Sequence, residues 1–141
     1  MSRVDEDAVA RYRTASEAND MDGVVGTLSP DVELVSPLSA GAVFRGREDL
    51  RFLLTAVYGS LSRWRWDEEI GDGPVRVLIG SGFVGPFRLG DSMVVELAED
   101  GRIARLRPHL RPFLALTWFG LVLGAKIGRR PAILLRALRR S

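Results

Sequence analysis

The chain has a single histidine, His109, in the run RPHL, and no cysteine. Those two counts bound the chemistry. Without thiols there is no disulfide framework, no thiolate metal site and no cysteine nucleophile. With one imidazole, a histidine-based metal centre is not expected, nor is a cofactor. Carboxylates, hydroxyls and arginines remain. Glu68 and Glu69 are neighbours, so on a strand they point to opposite faces and cannot work as a pair. Ser36, in VELVSP, has an unactivated hydroxyl with no useful basicity near neutral pH. The stretch GSGFVG lies between strands and opens no helix, so its glycines are expected to mark a bulge and not a phosphate loop.

These residues must be positioned by ordinary elements. Residues 5–19 carry acids in the first turn and a stripe of Ala8, Val9, Tyr12, Ala15 and Ser16, which predicts a helix closed near Asn19. Asp20 can cap a short second helix, MDGVVGTLS, stopped by Pro30. DVELVSPLS and GAVFRG follow as short strands. REDLRFLLTAVYGSL is a helix with Leu50, Leu53, Leu54 and Val57 on one stripe. SRWRWDEEI, VRVLIGSGFV, FRLGDSMVVELA and RIARLRPHL then read as antiparallel strands, with EDG as a tight turn before the last. In that last strand, alternation puts Ala104, Leu106, Pro108 and Leu110 on one face and Ile103, Arg105, Arg107 and His109 on the other. If the leucines face the core, His109 faces outward. Arg105 and Arg107 are then a solvated or subunit-facing stripe, with capture of an anionic ligand as the sharper alternative. The fold class is α+β: a curved antiparallel sheet wrapped round N-terminal helices, plus a helical C-terminal extension.

Composition changes near residue 110. Residues 111–141 carry seven basic residues and no acid, while residues 1–110 carry a net charge of −5. The high isoelectric point thus belongs to the tail, FLALTWFGLVLGAKIGRRPAILLRALRR, and is weak evidence for nucleic acid; aromatic and basic residues there are segregated. The uncharged run 113–125 is too short to span a bilayer. Packing on the domain or on a dimer partner, covering Leu116, Trp118, Leu121, Leu123 and Leu134, is the favoured expectation. The alternative is an anionic membrane surface, apolar side down. The acidic N-terminus lacks the pattern of a signal peptide, which reads as cytoplasmic.

The order ARYRTASEANDMDGVV, LSPDVELVSP, FRGREDLRFLL and AEDGRIARLR resembles the nuclear transport factor 2 fold in its bacterial branch of ketosteroid isomerases, SnoaL-like polyketide cyclases and limonene epoxide hydrolases. The resemblance covers about residues 5–110 and implies a cone with a deep, largely apolar pocket, in a homodimer joined through the outer sheet face. It places Tyr12 at the isomerases' tyrosine, but Ser36 where their base stands and Met93 where their oxyanion-hole acid stands; methionine donates no hydrogen bond. The epoxide hydrolases' Asp–Arg–Asp set falls near Met93, Asp91 and Pro108, so neither required aspartate is present. The cyclases' aspartate and histidine would be Asp91 and His109, though neither falls cleanly on the pattern.

The expected domains are a cone, 1–110, and an extension, 111–141. Pocket-lining candidates are Tyr12, Ser36, Trp64, Met93, Leu106 and Leu110, with Asp91 and His109 as polar candidates. The plainer alternatives are a core tyrosine at Tyr12, a turn hydroxyl at Ser36 and sheet packing at Trp64 and Trp66. The expected function is binding of a small, mostly apolar molecule, as a binding module or a divergent enzyme without the known acid–base sets. The rival is a non-enzymatic membrane-surface or interaction module. A cavity above about 300 Å³ beside Tyr12 and Met93 would favour the first, and a filled cone with an exposed tail the second.

Overall fold

The computed structural model describes residues 7–38 and 41–139. Residues 5 and 6 of the expected first helix, and Arg140 of the tail, lie outside the described residues.

Helix α1, Ala8–Glu17, starts at Asp7, whose carboxylate accepts from the Ala10 N–H at 2.9 Å. It buries Ala8, Val9, Tyr12, Ala15 and Ser16. Asp20 caps α2, Met21–Gly26, by accepting from the Gly23 N–H. That helix ends before Pro30. The residue expected to stop it lies inside strand β1, Leu28–Val35, which begins three residues earlier than its alternation suggests. Thr27 is the turning point: its hydroxyl donates to the Val24 carbonyl, and its own carbonyl accepts from Ile103. β2 is Val43–Arg45, and α3, Arg47–Gly59, buries Leu50, Leu53 and Leu54. The long strands are β3, Ser62–Ile70; β4, Val75–Val84; and β5, Phe87–Leu97. β6, Ile103–Arg107, and β7, Leu110–Arg111, follow.

The sheet order is β2-β1-β6-β5-β4-β3, with β7 pairing β5 beyond the end of β6. The fold is α+β, with N-terminal helices, a curved and mostly antiparallel sheet and C-terminal helices. One pair is parallel: β1 and β6, with Leu34 opposite Leu106. This differs from the antiparallel expectation because β2, α3 and three long strands separate β1 from β6 in the chain, so the two meet by tertiary pairing and not through a hairpin.

Strict alternation also fails in β6. Ile103 and Leu106, three residues apart, are both fully buried. The β5–β6 register shifts between Glu96 and Leu97, and an irregularity of this kind re-aims one side chain. The bulge expected at the glycines of GSGFVG has a counterpart in the β3–β4 pairing, whose register shifts between Ser62 and Arg65 and between Trp66 and Glu68, with Gly80 opposite Trp66. Gly80 and Gly82 lie within β4, where a Cβ would come within 2.7 Å of Trp66 and Trp64 respectively. They leave room for two indoles to lie on the sheet, with ring centroids 5.3 Å apart and nearly perpendicular planes.

Helices α4, Phe113–Ile127, and α5, Pro131–Leu138, pack on the cone. Among the described side chains, α4 buries Ala115, Phe119, Leu123 and Ile127, at every fourth position, and α5 buries Ile133 and Ala137. The expected set differs. Leu123 is buried, but Trp118, Leu121 and Leu134 are 42%, 69% and 37% exposed. A helix apolar all round carries no sequence signal for which stripe faces inward. The Arg136 guanidinium fixes α5 to α3 by donating twice to the buried Asp49 carboxylate, at 2.8 and 3.1 Å.

Candidate functional site

The alternation of β5 sends Leu89, Asp91, Met93 and Val95 into the cone. Asp91 is thus a carboxyl on an apolar face. Around it is a cavity of about 190 Å³. Helix α1 contributes Tyr12, α3 contributes Leu54 and Tyr58, and β3 contributes Trp64. Phe119, Leu123 and Ile127 of α4 and Leu134 of α5 roof it. Among the described lining residues Asp91 is the single charged one. The cavity is not filled, yet it falls short of the volume expected of a pocket for drug-sized molecules.

Asp91 is 7% exposed, and burial pushes its carboxyl up to about 7; one hydrogen bond, from the His109 backbone N–H at 3.1 Å, works against that shift. Beside it the hydroxyls of Tyr12 and Tyr58 are 2.7 Å apart, both fully enclosed. Burial raises both phenols well above their ordinary range, and the Asp91 charge raises them further. They stay protonated near neutrality and can serve as hydrogen-bond donors. Behind them, the Trp66 indole donates to Ser16 Oγ at 2.8 Å, and Ser16 Oγ donates to the Tyr12 carbonyl at 2.6 Å. The hydroxyl chain therefore has a fixed base. Trp64, by contrast, has a buried Nε1–H with no hydrogen-bond partner among the described residues. A buried donor left in that state needs an acceptor.

Of the residues singled out in the sequence, Tyr12, Ser36, Trp64, Met93, Leu110 and Asp91 line the cavity. The Ser36 hydroxyl accepts from the Leu38 N–H, as a turn hydroxyl does. Leu106 does not line it. Packed with Val95 and Ile103, it belongs to the solid core, at the register position facing Leu34. His109 is exposed, its ring Nδ1 lying 3.0 Å from the Ser92 carbonyl, so only its backbone serves Asp91. Arg105 and Arg107 pair with Glu33 and Glu96 on the half-exposed sheet face. Tyr58 was missed, although its spacing of four from Leu54 was a usable signal.

The architecture has close structural counterparts. An uncharacterised protein with a cystatin-like fold from Silicibacter pomeroyi superposes with a TM-score of 0.85 at 20% identity, over 92% of this chain and 93% of that one. The chain has the nuclear transport factor 2-like, or cystatin-like, fold. A steroid delta-isomerase from Pseudomonas aeruginosa shares this cystatin-like cone with a TM-score of 0.80, 23% identity and coverage of 89% and 92%. A nuclear transport factor 2-like protein of unknown function from Cytophaga hutchinsonii gives 0.61 at 14% identity, over 74% and 88%. No family model matches the sequence, and no curated protein does. At these identities the likeness is one of fold, and the chemistry of the nuclear transport factor 2-like cone must be argued from its own side chains.

Proposed function

We propose that the protein binds a small, mostly apolar molecule bearing one hydrogen-bond-accepting oxygen, with that oxygen at the Asp91–Tyr12–Tyr58 end of the cavity. The observation that carries this is a buried carboxyl set among apolar lining residues next to two neutral phenols. Such polarity costs stability unless something uses it. The unpartnered Trp64 N–H is a further donor for the same kind of ligand.

The volume, about 190 Å³, corresponds to roughly six waters at ~30 Å³ each, which selects a monocyclic or short-chain molecule over a tetracyclic one. A carboxyl that titrates near neutrality can also accept and return a proton, so Asp91 is the candidate general acid–base group if the bound molecule reacts. The phenols then stand where negative charge on the ligand oxygen would be stabilised. The structural likeness to a steroid delta-isomerase is consistent with this class of chemistry, with different groups doing it.

The test is a titration of the full chain with a series of alkyl-substituted cyclic ketones, following tryptophan fluorescence. Saturable binding should vanish in Leu89→Trp, which fills the cavity, and weaken in Tyr12→Phe. A ligand that binds Leu89→Trp as well as the parent would place it elsewhere and end the proposal.

A further inference from the structure

Among the described residues, six of the eight exposed large apolar side chains lie on or against α4 and α5; the other two, Ile70 and Val75, lie at the far end of the β3–β4 hairpin. Trp118 and Leu121 of α4 and Leu134, Leu135 and Leu138 of α5 are between 37% and 69% exposed. Leu38, 40% exposed, joins them: a Cβ on Gly120 of α4 would lie 4.0 Å from its methyl groups. Leu38 and Leu134 also line the cavity, so the cavity reaches the surface within this patch. A grouping of this kind on a soluble protein marks a surface for a partner.

Charge says which partner. Residues 111–141 carry seven basic residues and no acid. Arg129 and Arg139 are exposed and have no ion pair among the described residues. A second copy of the chain would press two such segments together, which like charge opposes. An anionic bilayer surface accepts both parts: apolar side chains at the headgroup–acyl boundary and guanidinium groups among lipid phosphates.

We propose that α4 and α5 dock the protein flat on an anionic lipid bilayer, with the cavity mouth turned towards the lipid. The opposite stripes of both helices stay packed on the cone. No helix among the described residues is long and apolar enough to cross a membrane, so the contact is superficial. This goes beyond the ligand reading above and stands or falls independently of it, because the test needs no cavity ligand.

The test is sedimentation of the full chain with vesicles of phosphatidylcholine and phosphatidylserine in equal parts, against vesicles of phosphatidylcholine alone. The protein should pellet with the first, remain in solution with the second, and be released by ~1 M salt, where the screening length falls to about 3 Å. Leu121→Asp with Leu135→Asp changes two side chains that are 69% and 62% exposed, so its melting temperature should match the parent's while pelleting is lost. Arg129→Gln and Arg139→Gln should each weaken partitioning roughly fivefold. Failure of the parent to pellet, or pelleting unchanged in the apolar variant, overturns the proposal. So does self-association that the same substitutions abolish without any vesicle binding, which would assign the patch to a second copy.

Discussion

The backbone of His109 holds the carboxylate of Asp91: the His109 N–H donates to Asp91 Oδ1 at 3.1 Å, while the His109 ring lies exposed beside the Ser92 carbonyl. The one histidine of the chain thus reaches the cavity's acid through its backbone N–H and not through its imidazole. His109→Ala should leave ligand affinity within a few-fold and leave the Asp91 titration where it is. His109→Pro removes the N–H and should raise the Asp91 pKa further, since burial then acts unopposed. Carboxyl chemical shifts followed against pH would report both. A shift in Asp91 titration with alanine, or an affinity loss beyond about tenfold, would give the ring a role denied here.

Asp91 also makes the stability of the fold depend on pH. Its folded-state pKa, about 7, lies above its unfolded value of 3.8. Between those values the folded state holds a proton that the unfolded state has released, so this group's contribution falls as pH rises through the window. The full effect is at most roughly 4 kcal/mol. Asp91→Asn cannot ionise, and asparagine keeps the acceptor for His109. The variant should match the parent near pH 4 and exceed it near pH 8. Subtracting the two stability curves isolates this group, and a flat difference would show that Asp91 ionises as an ordinary surface acid does.

The Tyr12–Tyr58 hydroxyl contact, 2.7 Å and enclosed, should behave as a unit. Tyr12→Phe leaves a buried hydroxyl short of a partner and should cost about 1–3 kcal/mol. Tyr12→Phe with Tyr58→Phe should cost less than the two single changes added together. Additivity in denaturant melts would mean the two hydroxyls do not support one another.

Steroid isomerisation is not expected, despite the likeness to a steroid delta-isomerase. Ser36 and Met93 occupy cavity positions where the resemblance would need two acids, and the volume is small for four fused rings. Turnover of a Δ5-3-ketosteroid should lie more than about a hundredfold below a competent isomerase, the scale of one missing acid–base group. Comparable turnover, abolished by Asp91→Asn, would show that Asp91 alone can replace the missing pair.

Removing α4 and α5, by ending the chain at Pro112, should be strongly destabilising. Phe119, Leu123, Ile127 and Ile133 are all buried, and the Asp49 carboxylate would lose Arg136. Each large apolar side chain contributes roughly 1.5–3 kcal/mol, and together they rival the 5–15 kcal/mol stability of a whole domain. The shortened chain should aggregate or melt far below the parent. A truncation that melts with the full chain would mean the two helices cover little that matters.

Periodicity alone determined much of this molecule. The α1 stripe Ala8, Val9, Tyr12, Ala15 and Ser16 is buried as its spacing requires, and β3 and β4 have the limits their alternation implies. Local capping was equally legible, because the Asp20 carboxylate reaches an N–H only three residues on. Asp91 within LGDSMVV could be read as inward-facing for the same reason: the period of a strand is set by its own backbone. Only the tertiary structure decided the rest. The parallel pairing of β1 with β6 joins segments about seventy residues apart, and no local pattern encodes such a choice. Leu106 faces inward but misses the cavity because its partner across the sheet is Val95, in the packed part of the cone, and that pairing is not written in its own neighbours. Helix α4 is apolar on every side, so its sequence could not say that Phe119 and Leu123 face the cone while Trp118 and Leu121 face outward. That division depends on which surface the cone left open, and hence on the packing of all the elements before it.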